Sequence, residues 1–387
     1  MRRILGGMLL VALAGSAAAQ WEPSFSGYGL TLPAYVRLPE SAGGVGGSAD
    51  STAPSLDQLM DVTRVRLRPS LSLPWEGLLE LEYEIAGIVQ STGQPVTVER
   101  KEIGNQLVDL RWTIAESKKY SLIHFIDRLV YRQRFEAGEL SVGRQRISWG
   151  TGRIWNPTDL FNPINPANFA KIEKDGADAV SARFTLGPLS DLQLVWNPVR
   201  DAVSNYGGRL RANAGEYDFS LLTGYFDATL LVGGDFAGNL GKMGVRGELL
   251  ISGLGGGAPG TTVKAIAGLD HQFTPELYVL AEYQYNGAGE SDPAAYDLEA
   301  LFRGEILNVA RHYLALSLTY LAHPLVTLGL TGMVNINDGS QFYAGTASYS
   351  VTDNVALGLG LQLFAADPGD EFWYYPATAY LKIEYYF

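Results

Sequence analysis

Six arginines, Arg128, Arg132, Arg134, Arg144, Arg146 and Arg153, stand within 26 residues and are interleaved with apolar side chains. The chain there runs I-D-R-L-V-Y-R-Q-R-F-E, turns at Ala137-Gly138, returns as L-S-V-G-R-Q-R-I-S-W-G and opens into T-G-R-I-W-N-P-T-D-L-F-N-P. A guanidinium is a permanent cation with planar donors suited to carboxylates and phosphates. In a strand, a spacing of two puts the arginines on one face and Leu129, Tyr131 and Phe135 on the other. Several guanidinium groups do not pack together without carboxylates, water or anions between them. The row is therefore either a salt-bridged lattice, with Asp109, Asp127, Glu136, Glu139 and Asp159 as counterions, or a basic wall that touches an anionic solute.

A matching charge pattern lies upstream. Arg64, Arg66 and Arg68 share one face of T-R-V-R-L-R, and Glu80, Glu82 and Glu84 share one face of E-L-E-Y-E. A tight turn at Pro74-Trp75 sets the two rows side by side as a charge ladder, each facing pair contributing roughly 0.2–1 kcal/mol. A soluble sheet would turn these charges to water. Here the opposite is expected: apolar side chains meet lipid and the ionised ones line a water-filled lumen.

Between Glu139 and Trp149 the apolar phase changes, since Leu140 and Val142 are even and Ile147 and Trp149 odd. An arginine on the lipid face near the midplane costs about 2–4 kcal/mol. A bulge at Gly143 would avoid this by turning Arg144 and Arg146 inward. Beyond Trp149, the pairs Asn156-Pro157, Asn162-Pro163 and Asn165-Pro166 preset turns through the fixed proline φ and local Asx hydrogen bonds. The loop is expected to be ordered, and it has two placements: folded into the mouth or lumen, or tied to the external rim. In the first, Arg153, Trp155, Asn156, Asp159 and Asn162 stand near a constriction. Asp159, Asn162 and Asn165 carry oxygen ligands, yet their spacing matches no calcium-loop pattern; neither metal nor cofactor is expected.

The elements that position these residues are strands. Nineteen segments of mostly 9 to 12 residues alternate, the first a doubtful one at 24–32 that would otherwise be a plug, and one at 105–115. Single-chain bacterial barrels have even counts, so the expectation is an all-β, transmembrane, antiparallel barrel of about 18 strands, with 16 and 20 as neighbours. Alternating sides backward from Phe387 puts the tight turn at Pro74 on the long-loop side, which places the miscount before residue 150. Trp75, Trp112, Trp149, Trp196 and Trp373 suit interfacial girdles. In the last strand Ala379, Leu381, Ile383, Tyr385 and the terminal Phe387 are the outward set, an alternation resembling the signal by which such barrels are recognised for insertion by the barrel-assembly machinery.

Composition agrees. There is no Cys in 387 residues, so disulfides and thiolate metal sites are excluded. Arg2-Arg3, the apolar run Ile4–Leu13 and Ala17-Ala18-Ala19 have the layout of a signal peptide. The expected organisation is a cleaved signal at 1–19, an N-terminal segment with a flexible loop at 20–61, and a barrel over 62–387. The formal charge of −12 becomes −14 without Arg2 and Arg3, which excludes a general nucleic-acid surface. Residues 64–153 nevertheless hold 14 basic and 11 acidic side chains, a local basic zone on an acidic background.

Taken together, G-R-Q-R-I-S-W-G-T-G at 143–152, N-P-T-D-L-F-N-P at 156–163 and E-K-D-G-A-D-A-V at 173–180 resemble a motif block in a poorly characterised group of Gram-negative outer-membrane barrels. That group is similar to alginate-export-type and porin-like barrels. The resemblance implies outer-membrane location and a structural or channel role for the block; it names no solute. The leading functional reading is a passive channel for small polar solutes, anionic ones included. The second is a closed or plugged barrel that assists envelope assembly or the export of hydrophobic molecules with periplasmic partners. An enzyme is not expected, because His124, His271, His312 and His323 stand in no catalytic motif. The bilayer is the expected partner, and oligomeric state is not legible.

Overall fold

The computed structural model describes residues 21–38, 57–92, 104–162, 173–255, 260–302 and 306–387. The signal segment, the loop at 41–54 and Asn165-Pro166 lie outside these residues. Nineteen strands follow one another: β1 (Glu22–Arg37), β2 (Asp57–Leu73), β3 (Gly77–Gln90), β4 (Arg111–Ser117), β5 (Tyr120–Phe135), β6 (Gly138–Gln145) and β7 (Ala177–Gly187). Then come β8 (Ser190–Asn197), β9 (Asn205–Ala214), β10 (Tyr217–Phe226), β11 (Thr229–Leu240), β12 (Met243–Leu254) and β13 (Thr262–Gln272). The last are β14 (Leu277–Asn286), β15 (His312–His323), β16 (Val326–Asn335), β17 (Gln341–Ser350), β18 (Val355–Ala365) and β19 (Ala377–Tyr386).

All pairings between these strands are antiparallel, and β1 closes the ring by pairing with both β2 and β19. The wall has 18 staves, because β4 is not one of them. One edge of β5 pairs with β3 along most of its length. Its other edge is divided: β4 takes Tyr120–Phe125 and β6 takes Leu129–Phe135. The segment expected at 105–115 is thus half of a column shared with β6. Removing it from the count restores the side alternation. Eight connections of two to four residues, including Pro74–Glu76, lie at the end that holds both chain ends, and longer segments such as 146–176 and 287–311 lie at the other. The first strand is a stave, so the barrel begins at Glu22 rather than at residue 62.

The strands form because alternation gives each one an apolar and a mixed face. Val65, Leu79, Ile85 and Leu129 point outward at 37–41 % exposure, whereas Arg64, Arg66 and Glu84 point inward at 0–6 %. In β19 the outward set Ala379, Leu381, Ile383, Tyr385 and Phe387 is exposed and Thr378 and Glu384 are buried. Phe387 extends the closure: its N–H donates to the Gly27 carbonyl at 3.0 Å, and Gly27 N–H donates back at 2.8 Å.

Two expectations fail here. The interior is not uniformly ionised: Tyr28, Leu30, Leu32, Ala34 and Val36 of β1 point inward with Met60 and Val62 of β2, all nearly fully buried. The residues of β1 are apolar in both phases, so alternation alone does not tell inside from outside. The second is the bulge at Gly143. Despite its φ of +121°, β6 stays in continuous register with β5 and β7. The shift lies on β5 instead, between the partners of Glu82 and Tyr83, and it inserts Asp127.

Candidate functional site

The inner face of β2, β3 and β5 carries the ion-pair lattice. Arg64 Nη1 meets Glu84 at 3.0 Å, and Arg66 Nε meets the other oxygen of Glu84 at 2.6 Å. Arg66 Nη1 is shared by Glu82, Asp127 and Glu173 at 2.8, 3.0 and 2.6 Å. Arg68 reaches Glu173 as well. Those three carboxylates form the one cluster among the described residues close enough to ligate a metal, and the Arg66 guanidinium takes the position a cation would need. Further down, Arg128 pairs with Glu82 at 3.1 Å, Arg132 with Glu80 at 2.6 Å and Arg134 with Glu139 at 3.6 Å. The charge ladder and the three arginines of β5 therefore form two neighbouring networks, one joining Arg64, Arg66, Arg68 and Arg128 to Glu82, Glu84, Asp127 and Glu173, the other joining Arg132 and Arg134 to Glu80 and Glu139, and Glu173 ties the first to the far end of the 146–176 segment.

Arg144 is elsewhere. With Gly143 in register, Arg144 shares the phase of Leu140 and Val142 and faces Asp178 across the ladder. Its Nε donates to Asp178 at 2.8 Å, its Nη1 to the Ile126 carbonyl at 3.0 Å and its Nη2 to the Val108 carbonyl. The 104–110 segment preceding β4 covers it. The expected inward position for Arg144 is thus incorrect, and the cost of an outward arginine is avoided by burial beneath this flap.

The loop after β6 folds into the barrel. Ile147, Trp149 and Phe161 pack on the inward residues Ala179, Val195, Leu222, Leu231 and Leu250 of β7, β8 and β10–β12. Trp149 Nε1 donates to Gln193 on β8 at 3.0 Å. Trp155 enters a second cluster with Ile266, Tyr313, Met333, Phe342 and Phe372 on the other side of the lumen. Between these two anchors, the loop backbone is held by two inward carboxylates of the wall. Glu248 Oε1 accepts from the N–H of Thr151 and Gly152, both at 2.6 Å, and its Oε2 accepts from Thr158 N–H and Oγ at 3.0 and 2.8 Å. Glu282 accepts from the N–H groups of Arg153, Ile154 and Trp155 at 3.0, 3.1 and 2.7 Å. Hydrogen bonds to a charged acceptor contribute about 1.5–3 kcal/mol each, so seven of them offset much of the entropy lost in ordering this short segment.

The glycines of G-T-G are required by this path. Gly150 has φ of +86°, and a Cβ there would lie 2.1 Å from Asn156 Oδ1; a Cβ on Gly152 would lie 1.8 Å from the Trp155 carbonyl. Downstream, Asn162 Oδ1 accepts from Ile147 N–H at 2.8 Å, closing the loop on itself. Asp159 is paired with Lys174, and burial pushes its carboxyl above the ordinary value despite that partner. The side chains of Asp159 and Asn162 serve the loop's own hydrogen bonds.

Beside the loop lies a cavity of about 1000 Å³, lined by Arg146, Arg153, Asn156 and Asp159 from the loop and by Arg246, Lys264 and Gln284 from β12–β14. Arg246 is paired with Asp270. Among the described residues Arg146, Arg153 and Lys264 have no carboxylate partner. The predicted arginines thus separate into three groups: a neutralised lattice, one wall rivet at Arg144, and a pair that faces open space. Glu248, Glu282 and Lys264 were not expected. Their signal is present as charged residues in the inward phase of largely apolar segments, G-E-L-L-I, L-A-E-Y-Q-Y and V-K-A-I-A.

Structures similar to this chain are outer-membrane porins. Pseudomonas aeruginosa OccK11 (OpdR) aligns at a TM-score of 0.53 and 12 % identity, over 93 % of this chain and 95 % of that one. Acinetobacter baumannii OccAB1 aligns at 0.54 and 10 %, over 94 % and 96 %, and Pseudomonas aeruginosa OccK7 (OpdD) at 0.54 and 8 %, over 94 % and 98 %. The likeness is one of fold. No family model matches the chain and no curated protein matches it.

Proposed function

We propose that this protein is an outer-membrane channel for passive diffusion of small polar solutes, with a narrow passage that favours anions. The observation carrying this reading is the loop held inside the lumen by Glu248 and Glu282 beside a cavity lined by the unpaired cations Arg146, Arg153 and Lys264. A loop folded inward narrows a barrel of 18 staves, which is otherwise wide enough to leave an aqueous channel. Charge at a constriction then selects by sign. Export through a cleaved signal peptide and recognition of Ala379, Leu381, Ile383, Tyr385 and Phe387 by the assembly machinery belong to the same proposal.

The test is conductance and reversal potential in a planar bilayer under a KCl gradient. Stable open steps with anion preference are expected. Replacing Arg146 and Arg153 by Glu is expected to shift permeability toward cations, while Arg144→Glu, which acts in the wall, is expected to change folding yield rather than selectivity. Equal selectivity in the wild type and the Arg146→Glu/Arg153→Glu variant would reject the anion preference. A second reading draws on the apolar inward face of β1 and β2: a plugged barrel that moves hydrophobic molecules with a periplasmic partner. Absence of any open step would favour it.

A further inference from the structure

The flap that covers Arg144 also reaches the loop inside the barrel. Arg144 lies in the outward phase of Leu140 and Val142, so the flap runs along the outer side of the wall, where Leu107 and Val108 are 40 and 48 % exposed. Asp178 Oδ2 accepts from both of their N–H groups, at 2.8 and 3.0 Å. Just upstream, Asn105 meets the loop. Its Nδ2 donates to the Phe161 carbonyl at 2.7 Å, and its Oδ1 accepts from Asn205 of β9 at 3.2 Å. Its backbone carbonyl accepts from Asp178 N–H and from Asn197 Nδ2, both at 3.0 Å. Gln106 Nε2 donates to the Gly176 carbonyl at 2.9 Å, at the far end of the connection that carries the loop.

This junction holds what the wall carboxylates do not. Glu248 and Glu282 secure backbone N–H groups between residues 151 and 158. In the limb that follows, 159–162, the other described hydrogen bonds come from within the same connection, and Asn105 is the donor from outside it. Phe161 is buried, its ring edge-on to Trp149, and an enclosed carbonyl that loses its donor is destabilised. The element carrying Asn105 is itself lightly held, because β4, into which the flap runs, pairs with β5 and with no other described strand. Segments with few partners open locally before the rest of a fold does.

Resting on the channel reading above, we infer that Asn105 is a positioning residue of the passage, and that the 104–110 flap is a strap through which the outer side of the wall sets the downstream limb of the constriction. With the strap seated, the limb is pinned. With the strap lifted, the Phe161 carbonyl loses its donor and the limb is released, while Glu248 and Glu282 keep 151–158 in place. The passage therefore has a main level and a larger one, visited when the strap lifts.

Single-channel recording in KCl tests this. Asn105→Asp keeps the size of the side chain and removes the donor, and it should spend at least about tenfold more time at the larger level than the wild type, the effect of one buried hydrogen bond lost. Its main level, reversal potential and heat-modifiable gel mobility should stay those of the wild type, since neither the staves nor the cations of the cavity are touched. Equal time at the larger level, or a shifted main level with a weakened barrel, would overturn the positioning role; Asn105→Ala serves if Asn105→Asp does not assemble. The chain holds no Cys, so Leu107→Cys offers a single thiol on the strap with Asn105 intact. Coupling it to a bulky maleimide before reconstitution should raise the larger level, whereas the same label on Leu314→Cys, an outward position of β15, should not. No change on labelling Leu107→Cys, or an equal change at both positions, would overturn the strap. Should the wild type give no open steps, the channel reading fails and chymotrypsin decides the positioning by itself. New cleavage after Phe161 in Asn105→Asp, with Trp149 and Trp155 still protected, supports it; no new cleavage rejects it.

Discussion

At the scale of single residues, the interior is governed by which charges have partners. Arg66 is nearly inaccessible and serves Glu82, Glu84, Asp127 and Glu173 together. Breaking a buried pair by removing one member costs about 3–5 kcal/mol, because the other charges stay behind. Arg66→Met is therefore expected to lower the urea midpoint of unfolding strongly, whereas Arg134→Met, at a position whose side chain is 72 % exposed, should shift stability by no more than about 0.5 kcal/mol. Denaturation followed by heat-modifiable gel mobility checks both. Glu371, in the turn between β18 and β19, is a different case: burial pushes its carboxyl from 4.5 up to about 8, and it accepts from Tyr313 and Asn335 at 2.7 and 2.9 Å. Between those two values the folded protein keeps a proton that the unfolded chain has released. Stability from this group is therefore lost as pH rises through that window and is level above it. The unfolding midpoint of the wild type should fall between about pH 5 and about pH 9, and Glu371→Gln should flatten that slope; an identical slope in the variant would reject the assignment. Among these residues the arginine and glutamate rows were legible because repetition at a spacing of two is itself a signal. Glu371 and Lys264 were not, since neither belongs to a row of charges repeating at that spacing.

At the scale of elements, the organising feature is the tether of the 146–162 loop. Wall carboxylates hold backbone N–H groups, so the loop's path depends on Glu248 and Glu282 more than on the loop's own side chains. Glu248→Gln combined with Glu282→Gln keeps the shape of both groups and weakens seven charge-assisted bonds. The expected result is a noisier current and new proteolytic cleavage between residues 150 and 158, with the barrel still resistant to denaturation on gels; unaltered protection would show the apolar anchors Trp149 and Trp155 suffice. The loop's order was readable from its Asx-Pro pairs, but whether it entered the lumen was not, because its partners lie about 90–130 residues away on β12 and β14. Similarly, β4 has the composition of a stave and fails to be one only because β6 occupies the rest of its column. Register between distant strands decides that, and local alternation does not report it. Arg144 was misplaced for the same reason: the flap that covers it comes from a segment that resembled one more wall strand.

At the scale of the whole molecule, the correction from nineteen segments to an even stave number came from the rule for single-chain bacterial barrels, while alternation and loop asymmetry made the barrel accessible from sequence. The filling of its lumen was not. Three apolar clusters occupy inward faces that a wet interior would leave polar, and a cavity of about 1000 Å³ lies beside the loop. The central claim is that this loop, and not the ring of staves, sets the passage. Its most direct measurement is the single-channel conductance in KCl of the wild type against a chain in which residues 151–158 are replaced by an equal length of Gly and Ser. A clear rise in the size of the open steps is predicted, with weakened ion selectivity; open steps of unchanged size would contradict a constriction built by the loop.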